Sequence, residues 1–250
     1  LIKWRPMDSS ELPWIVAIVG FAALVRSTFG FGDALIGMPL LALFIPLRSA
    51  TPLMAFVGPT LAMLLLVREW RHLQVRSALK LILATLAGIP AGLILLKRVD
   101  ERAVNAILAA VIILFALYNL FRPGLVRLRT ERSSWAFGFA AGVLGAAYNT
   151  NGPPVILYGV LRGWRPEEFR ATLQGYFLPT GTAILIGQGI AGLWSAPVLK
   201  AYLLSLPLIV LAVFAGTALA KRIRPARFNQ AVHVLMLAAG TVLLLKNVLR

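Results

Sequence analysis

Asn149, Thr150 and Asn151 place three neutral hydrogen-bonding side chains in a row. They lie in the run Gly145-Ala-Ala-Tyr-Asn-Thr-Asn-Gly-Pro-Pro154, inside a segment otherwise apolar enough to sit in lipid. Trp135–Tyr148 is apolar on one side and Val155–Leu161 on the other, after which Arg162, Arg165 and Arg170 announce water. Neither flank reaches the roughly 20 residues that a helix needs to cross the hydrocarbon core. Irregular backbone at membrane depth survives only where protein or a water-filled cavity satisfies it. Two half-helices meeting at a polar break can build an ion site, because the second begins with unpaired N–H groups and a partial positive charge, which suits an anion. Gly152 opens that second half-helix. Pro153 and Pro154 suit its first turn, where their missing N–H groups would be orphans in any case.

The first half of the chain has a counterpart, Ser27-Thr-Phe-Gly-Phe-Gly-Asp33. Gly30 and Gly32 let the backbone leave a helix and approach a ligand closely, and Thr28 adds a hydroxyl. A constant offset sets Phe31, Gly32 and Asp33 opposite Asn149, Thr150 and Asn151, so the two breaks are expected to face each other across a pseudo-twofold axis. Arg26 and Asp33 are the charges inside this first hairpin, and intramembrane charges are costly and usually functional. Arg26 can bind an anionic substrate or pair with Asp33, and Asp33 can accept a coupling proton. The competing reading makes Asp33 and Asn151 ordinary helix N-caps, with Arg26 snorkelling to an interface.

The span after the second break carries Gln174, Tyr176, Pro179, Thr180, Thr182 and Gln188. Polar residues in such spans bridge helices more often than they touch a ligand, so Gln174 and Tyr176 are secondary site candidates. They lie two apart and do not strictly share a helix face, although Pro179 can bend the span. The matching first-half span holds Thr51, Pro52, Pro59 and Thr60. His72 and His233 are too few and too far apart to hold a metal, and Glu167-Glu168 reads as a solvated charge cluster. No nucleophile stands beside a His as Ser-His-Asp catalysis requires. An enzyme embedded in a membrane should carry a water-activating cluster of His, Asp or Glu, and only Asp33 lies inside the spans. The reading is therefore of a non-enzyme with no metal and no cofactor.

The elements that must position these residues follow from composition. The chain has 250 residues, 59% hydrophobic and 14% charged, with a mean hydropathy of +0.83. A soluble domain carries about 25% charged residues, so an all-α polytopic membrane protein is expected. The formal charge of +16 sits in short clusters between apolar runs. That fits topology signals and contacts with anionic membrane lipids, and no recognition motif points to nucleic acid. With no Cys there are no disulfides. Lys3 and Arg5 ahead of an apolar run resemble a signal-peptide start, but the internal repeat assigns that run to the fold. The first residue is Leu1 rather than an initiator Met, so a few residues are expected to precede it.

Ten apolar segments can be drawn, five on each side of a basic linker at 122–134. In the first half they are about Pro13–Thr28, Ala34–Ile45, Ala50–Val67, Leu79–Leu96 and Ala103–Phe121. In the second they are Trp135–Tyr148, Pro153–Leu161, Ala171–Trp194, Ala196–Ala220 and Phe228–Leu245. Gly20-Phe-Ala-Ala23 repeats as Gly138-Phe-Ala-Ala141, and Pro59-Thr60 as Pro179-Thr180. Ala91-Gly92, Lys97-Arg98 and Asn105 recur at one common offset as Ala215-Gly216, Lys221-Arg222 and Asn229. The common order makes 1–121 and 135–250 two copies. Each copy is a broken or re-entrant helical hairpin followed by three transmembrane helices. Because three is odd, the second copy must enter the membrane inverted. The face holding the linker carries fifteen Lys and Arg against nine on the face holding the termini, which puts the linker in the cytoplasm and both termini in the periplasm. Trp4, Trp14, Trp70, Trp135, Trp164 and Trp194 fall at segment ends, as an aromatic belt requires.

At this point the chain resembles the TauE/SafE family of sulfite exporters, also called the toluene-sulfonate uptake permease family. The resemblance covers nearly the whole chain. It rests on length, on two homologous halves, and on the broken segment that opens each half. These are Ser27-Thr-Phe-Gly-Phe-Gly32 running into Met38-Pro39-Leu40-Leu41, and Gly142-Val-Leu-Gly145 running into Asn149-Thr-Asn-Gly-Pro-Pro154. Many members carry a denser glycine run at these points, and Asn-Thr-Asn-Gly here suggests a subgroup. The resemblance implies transport of sulfite, organosulfonates or related anions across the bacterial inner membrane, without ATP. The reading is thus a secondary transporter, working as an exporter, with a small anionic substrate held at the midplane. A carrier or channel for a non-sulfur organic anion, or behind it a membrane-embedded enzyme or assembly subunit, is the alternative, and homodimerisation stays open.

Overall fold

A computed structural model describes residues 11–69, 75–121, 128, 130, 132–164, 166–220, 237, 238, 241, 244 and 245. Among these residues the regular secondary structure is all helix, with no strand. The helices are α1 (Leu12–Phe29), α2 (Asp33–Phe44), α3 (Leu47–Glu69), α4 (Val75–Arg98), α5 (Glu101–Phe121), α6 (Ser133–Tyr148), α7 (Gly152–Arg162), α8 (Pro166–Ile190) and α9 (Ala196–Ala220). The expected last span, Phe228–Leu245, lies largely outside the described residues, as do His72, His233, Trp4, Trp70 and most of the basic linker. α8 starts five residues before the apolar run that announced it, since a polar first turn does not end a helix.

Among the described residues four helices, α1, α3, α4 and α9, are long and apolar enough to cross a membrane. α2 and α7 are not. They have 12 and 11 residues, which at 1.5 Å per residue reach about 16–18 Å, little more than half of a hydrocarbon core of roughly 30 Å. Each is joined to the helix before it by a short polar break, and both breaks use left-handed backbone. Gly30 and Gly32 have φ of 86° and 103°, and Asn149 has φ of 54°. Glycine takes this conformation without a Cβ clash, and Asn tolerates it better than most residues.

Packing runs across the two halves. α4 packs most extensively on α6, α1 on α9, and α3 on α8. The α4–α6 contact is backbone against backbone. A Cβ on Gly88 or Gly92 of α4 would collide with the carbonyls of Phe139 or Val143. A Cβ on Gly138 or Gly142 of α6 would collide with those of Leu81 or Thr85. Two small-xxx-small faces thus meet, the arrangement that brings helices together where lipid removes the hydrophobic drive. Gly216 of α9 meets Ser27 and the Leu24 carbonyl of α1 in the same manner. Apart from α3 on α8, which joins them, the more extensive pairings fall into two sets, α1, α2 and α3 with α9, and α6, α7 and α8 with α4. Exchanging α1 for α6, α2 for α7, α3 for α8 and α4 for α9 turns one set into the other. Large apolar side chains such as Leu83, Leu203, Leu211 and Phe214 remain exposed, as a lipid-facing surface requires.

Candidate functional site

α6 ends inside the protein, so its last carbonyls need partners. Leu144 accepts from the backbone N–H of Thr150 and Gly145 from that of Asn149, at 3.3 and 2.8 Å. Ala146 accepts from Gln188 Nε2 at 3.3 Å and Ala147 from Thr51 Oγ1 at 3.2 Å. Gln188 and Thr51 therefore serve the backbone of the break. At the first break, Gly30 N–H donates to the Arg26 carbonyl at 2.6 Å, and the Gly30 carbonyl accepts from Gln174 Nε2. Neither new helix is capped by a side chain: α2 follows Gly32 and α7 follows Asn151, with no cap hydrogen bond at either. The ordinary N-cap reading of Asp33 and Asn151 is thereby set aside. Asn151 instead points its Nδ2 at Thr180 Oγ1, 3.4 Å away.

The two breaks open onto one small cavity with an accessible volume of about 20 Å³, room for about one water. Gly32, Asp33 and Arg26 line it from the first hairpin, and Asn149, Thr150, Asn151 and Gly152 from the second. Gly58 and Pro59 of α3 and Phe177 and Gly181 of α8 close its sides. Arg26 is only 3% exposed, so it does not snorkel to an interface. Its Nη1 donates to Asp33 Oδ2 at 2.9 Å and its Nη2 to Gln174 Oε1 at 3.1 Å. The guanidinium carbon lies 4.8 Å from the centre of the Phe177 ring, within cation–π range. Its Nε–H is buried without a partner. A guanidinium with a spare donor, two helix N-termini and three neutral polar side chains around one closed space can hold a small oxoanion.

A model of the family described as "Sulfite exporter TauE/SafE" matches residues 15–243. The chain belongs to the TauE/SafE family. Its members are transporters and not enzymes. A protein of Cupriavidus necator named "Probable sulfite/organosulfonate exporter TauE" is 21% identical over 235 residues, covering 92% of each chain. No solved structure matches.

Within this TauE/SafE chain the candidates drawn from the sequence divide in two. Arg26, Gly32, Asp33, Asn149, Thr150, Asn151 and Gly152 meet at the cavity. Thr28, Gly30, Gln174 and Tyr176 stand behind it. Thr28 Oγ1 bonds back to the Leu24 carbonyl at 2.8 Å, and Gln174 braces both Arg26 and Gly30. Tyr176 pairs with Thr85 Oγ1 at 2.7 Å, which itself donates to the Gly138 carbonyl of α6 at 2.9 Å, and its hydroxyl also lies beside Asn151 and Thr180. Sequence reasoning missed Gly58, Phe177 and Gly181. An apolar Phe on an apolar helix carries no mark of its role. Gly58 and Gly181, each next to the repeated Pro-Thr pair, were the signal available.

Proposed function

We propose that this protein is a secondary transporter that exports small sulfur-containing anions, such as sulfite or organosulfonates, across the bacterial inner membrane. The observation that carries this reading is the single cavity bordered by both helix breaks and by the buried Arg26. Family membership supplies the substrate class, and the anion-favouring donors of the cavity agree with it independently. The substrate sits between the two hairpins, held by Arg26 and by Asn149, Thr150, Asn151 and Gly152.

The architecture we infer is two inverted repeats, 1–121 and 135–250, joined by a cytoplasmic linker, with both termini periplasmic and membrane lipid around the exposed apolar faces. The shortness of α2 and α7 supports a broken helical hairpin at the start of each repeat, although α1 is long enough to cross the membrane by itself, and the interchangeable pairing of helices supports the repeat. The two helix sets meet chiefly where α3 packs on α8, and the candidate site lies along that seam. Alternating access is then a movement of one set against the other, opening the cavity to each side in turn.

The test is thermal unfolding of the purified protein with sulfite, sulfate, methanesulfonate, acetate and chloride. A ligand that binds only the folded state stabilises it, by about 2.7 kcal/mol at a hundred times its dissociation constant. Sulfite or the sulfonate should raise the midpoint, and Asn149→Ala or Arg26→Gln should remove that rise. Stabilisation by acetate alone would replace sulfur anions with carboxylates as the substrate.

A further inference from the structure

The cavity also constrains how an anion is bound. This inference rests on the anion-carrier reading and concerns the same site. We propose that substrate anion and proton bind together: the anion takes over the Arg26 donors that Asp33 now occupies, and Asp33 is released as the neutral carboxylic acid.

About 20 Å³ admits a water but not a four-atom oxoanion beside an intact ion pair. An oxoanion therefore binds only when side chains around the cavity move, and the Asp33 carboxylate is the group that already holds an anion's place on Arg26. Arg26 is arranged for that exchange. Its Nε–H is unused, while Nη2 rests on the neutral Gln174 and only Nη1 on Asp33. An incoming oxoanion that takes the Nη1–Nη2 fork end-on displaces the Asp33 carboxylate and the Gln174 oxygen together.

The Arg26 and Asp33 side chains are 3% and 8% exposed, and together they are neutral. No other described residue lining the cavity is charged. The first turn of α8, whose Phe169 packs on Phe31 at the break, carries Glu168 and Arg170, but the spans around the pair bring no Asp, Glu, Lys, Arg or His: not α3 from Ser49 to Val67, α5 from Ala103 to Phe115, α6 and α7 from Ser133 to Leu161, α8 from Ala171 to Ile190, or α9 from Ala201 to Ala220. Their ionisable groups are the phenols of Tyr148, Tyr158, Tyr176 and Tyr202. A monovalent anion added to the closed pair would leave one uncompensated charge in a low-dielectric site, which is strongly unfavourable. A proton on Asp33 restores neutrality. The empty form, Arg26 with Asp33 carboxylate, and the loaded form, Arg26 with the anion and Asp33 carboxylic acid, are then both neutral and both able to reorient. The proton enters from the compartment that the anion leaves and is released with it on the other side, where the Arg26–Asp33 pair re-forms. With the anion concentrated inside, the cycle exports it.

The test counts protons. Full-length wild type and Asp33→Asn are titrated calorimetrically with sulfite and with methanesulfonate, in buffers of different ionisation enthalpy. Methanesulfonate does not titrate near neutrality, so any proton taken up with it belongs to the protein. Wild type should take up about one proton per methanesulfonate and bind it tenfold more weakly for each pH unit raised while Asp33 is ionised in the free protein. Sulfite carries its own proton equally into both proteins, so Asp33→Asn should take up one proton fewer than wild type. Methanesulfonate binding to wild type without proton uptake, or equal uptake of protons with sulfite by both proteins, overturns the proposal. Should Asp33→Asn fail to fold, the methanesulfonate count on wild type decides alone. If wild type binds neither anion, the carrier reading falls and takes this inference with it, an outcome distinct from binding without a proton.

Discussion

Arg26 Nη1 lies 2.9 Å from Asp33 Oδ2 across the break between α1 and α2, so the first hairpin is closed by a buried ion pair. Coulomb attraction in such a place is offset by the cost of stripping both ions of solvent, and what is expensive is removing one partner. Arg26→Ala and Asp33→Ala should each destabilise the protein by about 3–5 kcal/mol. The double replacement Arg26→Met/Asp33→Leu should recover most of that stability while abolishing transport. Unfolding midpoints of the three variants in one detergent check this, and a double variant as unstable as either single one would refute it.

The unpaired arginine left by Asp33→Asn should behave differently when anions are present. With no resident carboxylate, Arg26 becomes an anion site without a competitor. Sulfite should therefore stabilise Asp33→Asn more than it stabilises wild type at the same concentration, starting from a lower midpoint without ligand. A thermal shift series in sulfite, with chloride as the control, measures the difference. A smaller sulfite shift in the variant would mean that Asp33 helps to hold the anion instead of competing with it.

The breaks were legible because polar and glycine residues in a lipid-compatible run have few explanations. Asn149-Thr-Asn-Gly-Pro-Pro154 and Gly30-Phe-Gly-Asp33 both mark places where helices end, and the structure ends them there. Which neighbour each polar group would find was not legible. Gln174 and Tyr176 stand two apart on α8 and are equally polar in sequence, yet one faces Arg26 and the other Thr85. That choice is made by which helix lies on each side, a long-range property. The α4–α6 seam also escaped notice. Gly88, Gly92, Gly138 and Gly142 are conspicuous only once the two helices are known to be partners.

That seam gives a second structural test. At Gly142 a Cβ would strike the Thr85 carbonyl and sit 2.9 Å from the Gly88 Cα, and backbone cannot yield as a side chain can. Gly142→Val should cost about 1–3 kcal/mol or more through overpacking, with α4 forced off α6. Gly192 is the control. It has φ of 73° but nothing within 4 Å of an added Cβ, so Gly192→Ala should cost only the left-handed backbone term, about 1–2 kcal/mol. Expression level and unfolding midpoint should rank Gly142→Val well below Gly192→Ala.

Gln174 connects Arg26 to the Gly30 carbonyl, so it positions the guanidinium and satisfies a buried backbone group together. Gln174→Ala leaves that carbonyl without its donor, at about 1–3 kcal/mol, and frees one side of Arg26. Gln174→Glu keeps the length but sets a second carboxylate on Arg26. If Gln174 positions Arg26 for the anion, the glutamate variant should weaken sulfite binding more than the alanine variant, despite being the closer mimic. Equal loss in both would reduce Gln174 to a structural brace.

Asn149 separates backbone need from ligand contact most cleanly. Its φ of 54° is the left-handed region, where its N–H closes α6 onto the Gly145 carbonyl, while its side chain lines the cavity. Asn149→Ala loses the side-chain donor and adds about 1–2 kcal/mol of left-handed strain. Asn149→Gly loses the same donor but suits the backbone. Stability should therefore fall in the alanine variant and stay near wild type in the glycine variant. Sulfite-dependent stabilisation should disappear from both, because it depends on the amide and not on φ. Retained sulfite binding in Asn149→Gly would assign Asn149 to the turn alone and leave the anion to Arg26, Thr150 and the start of α7.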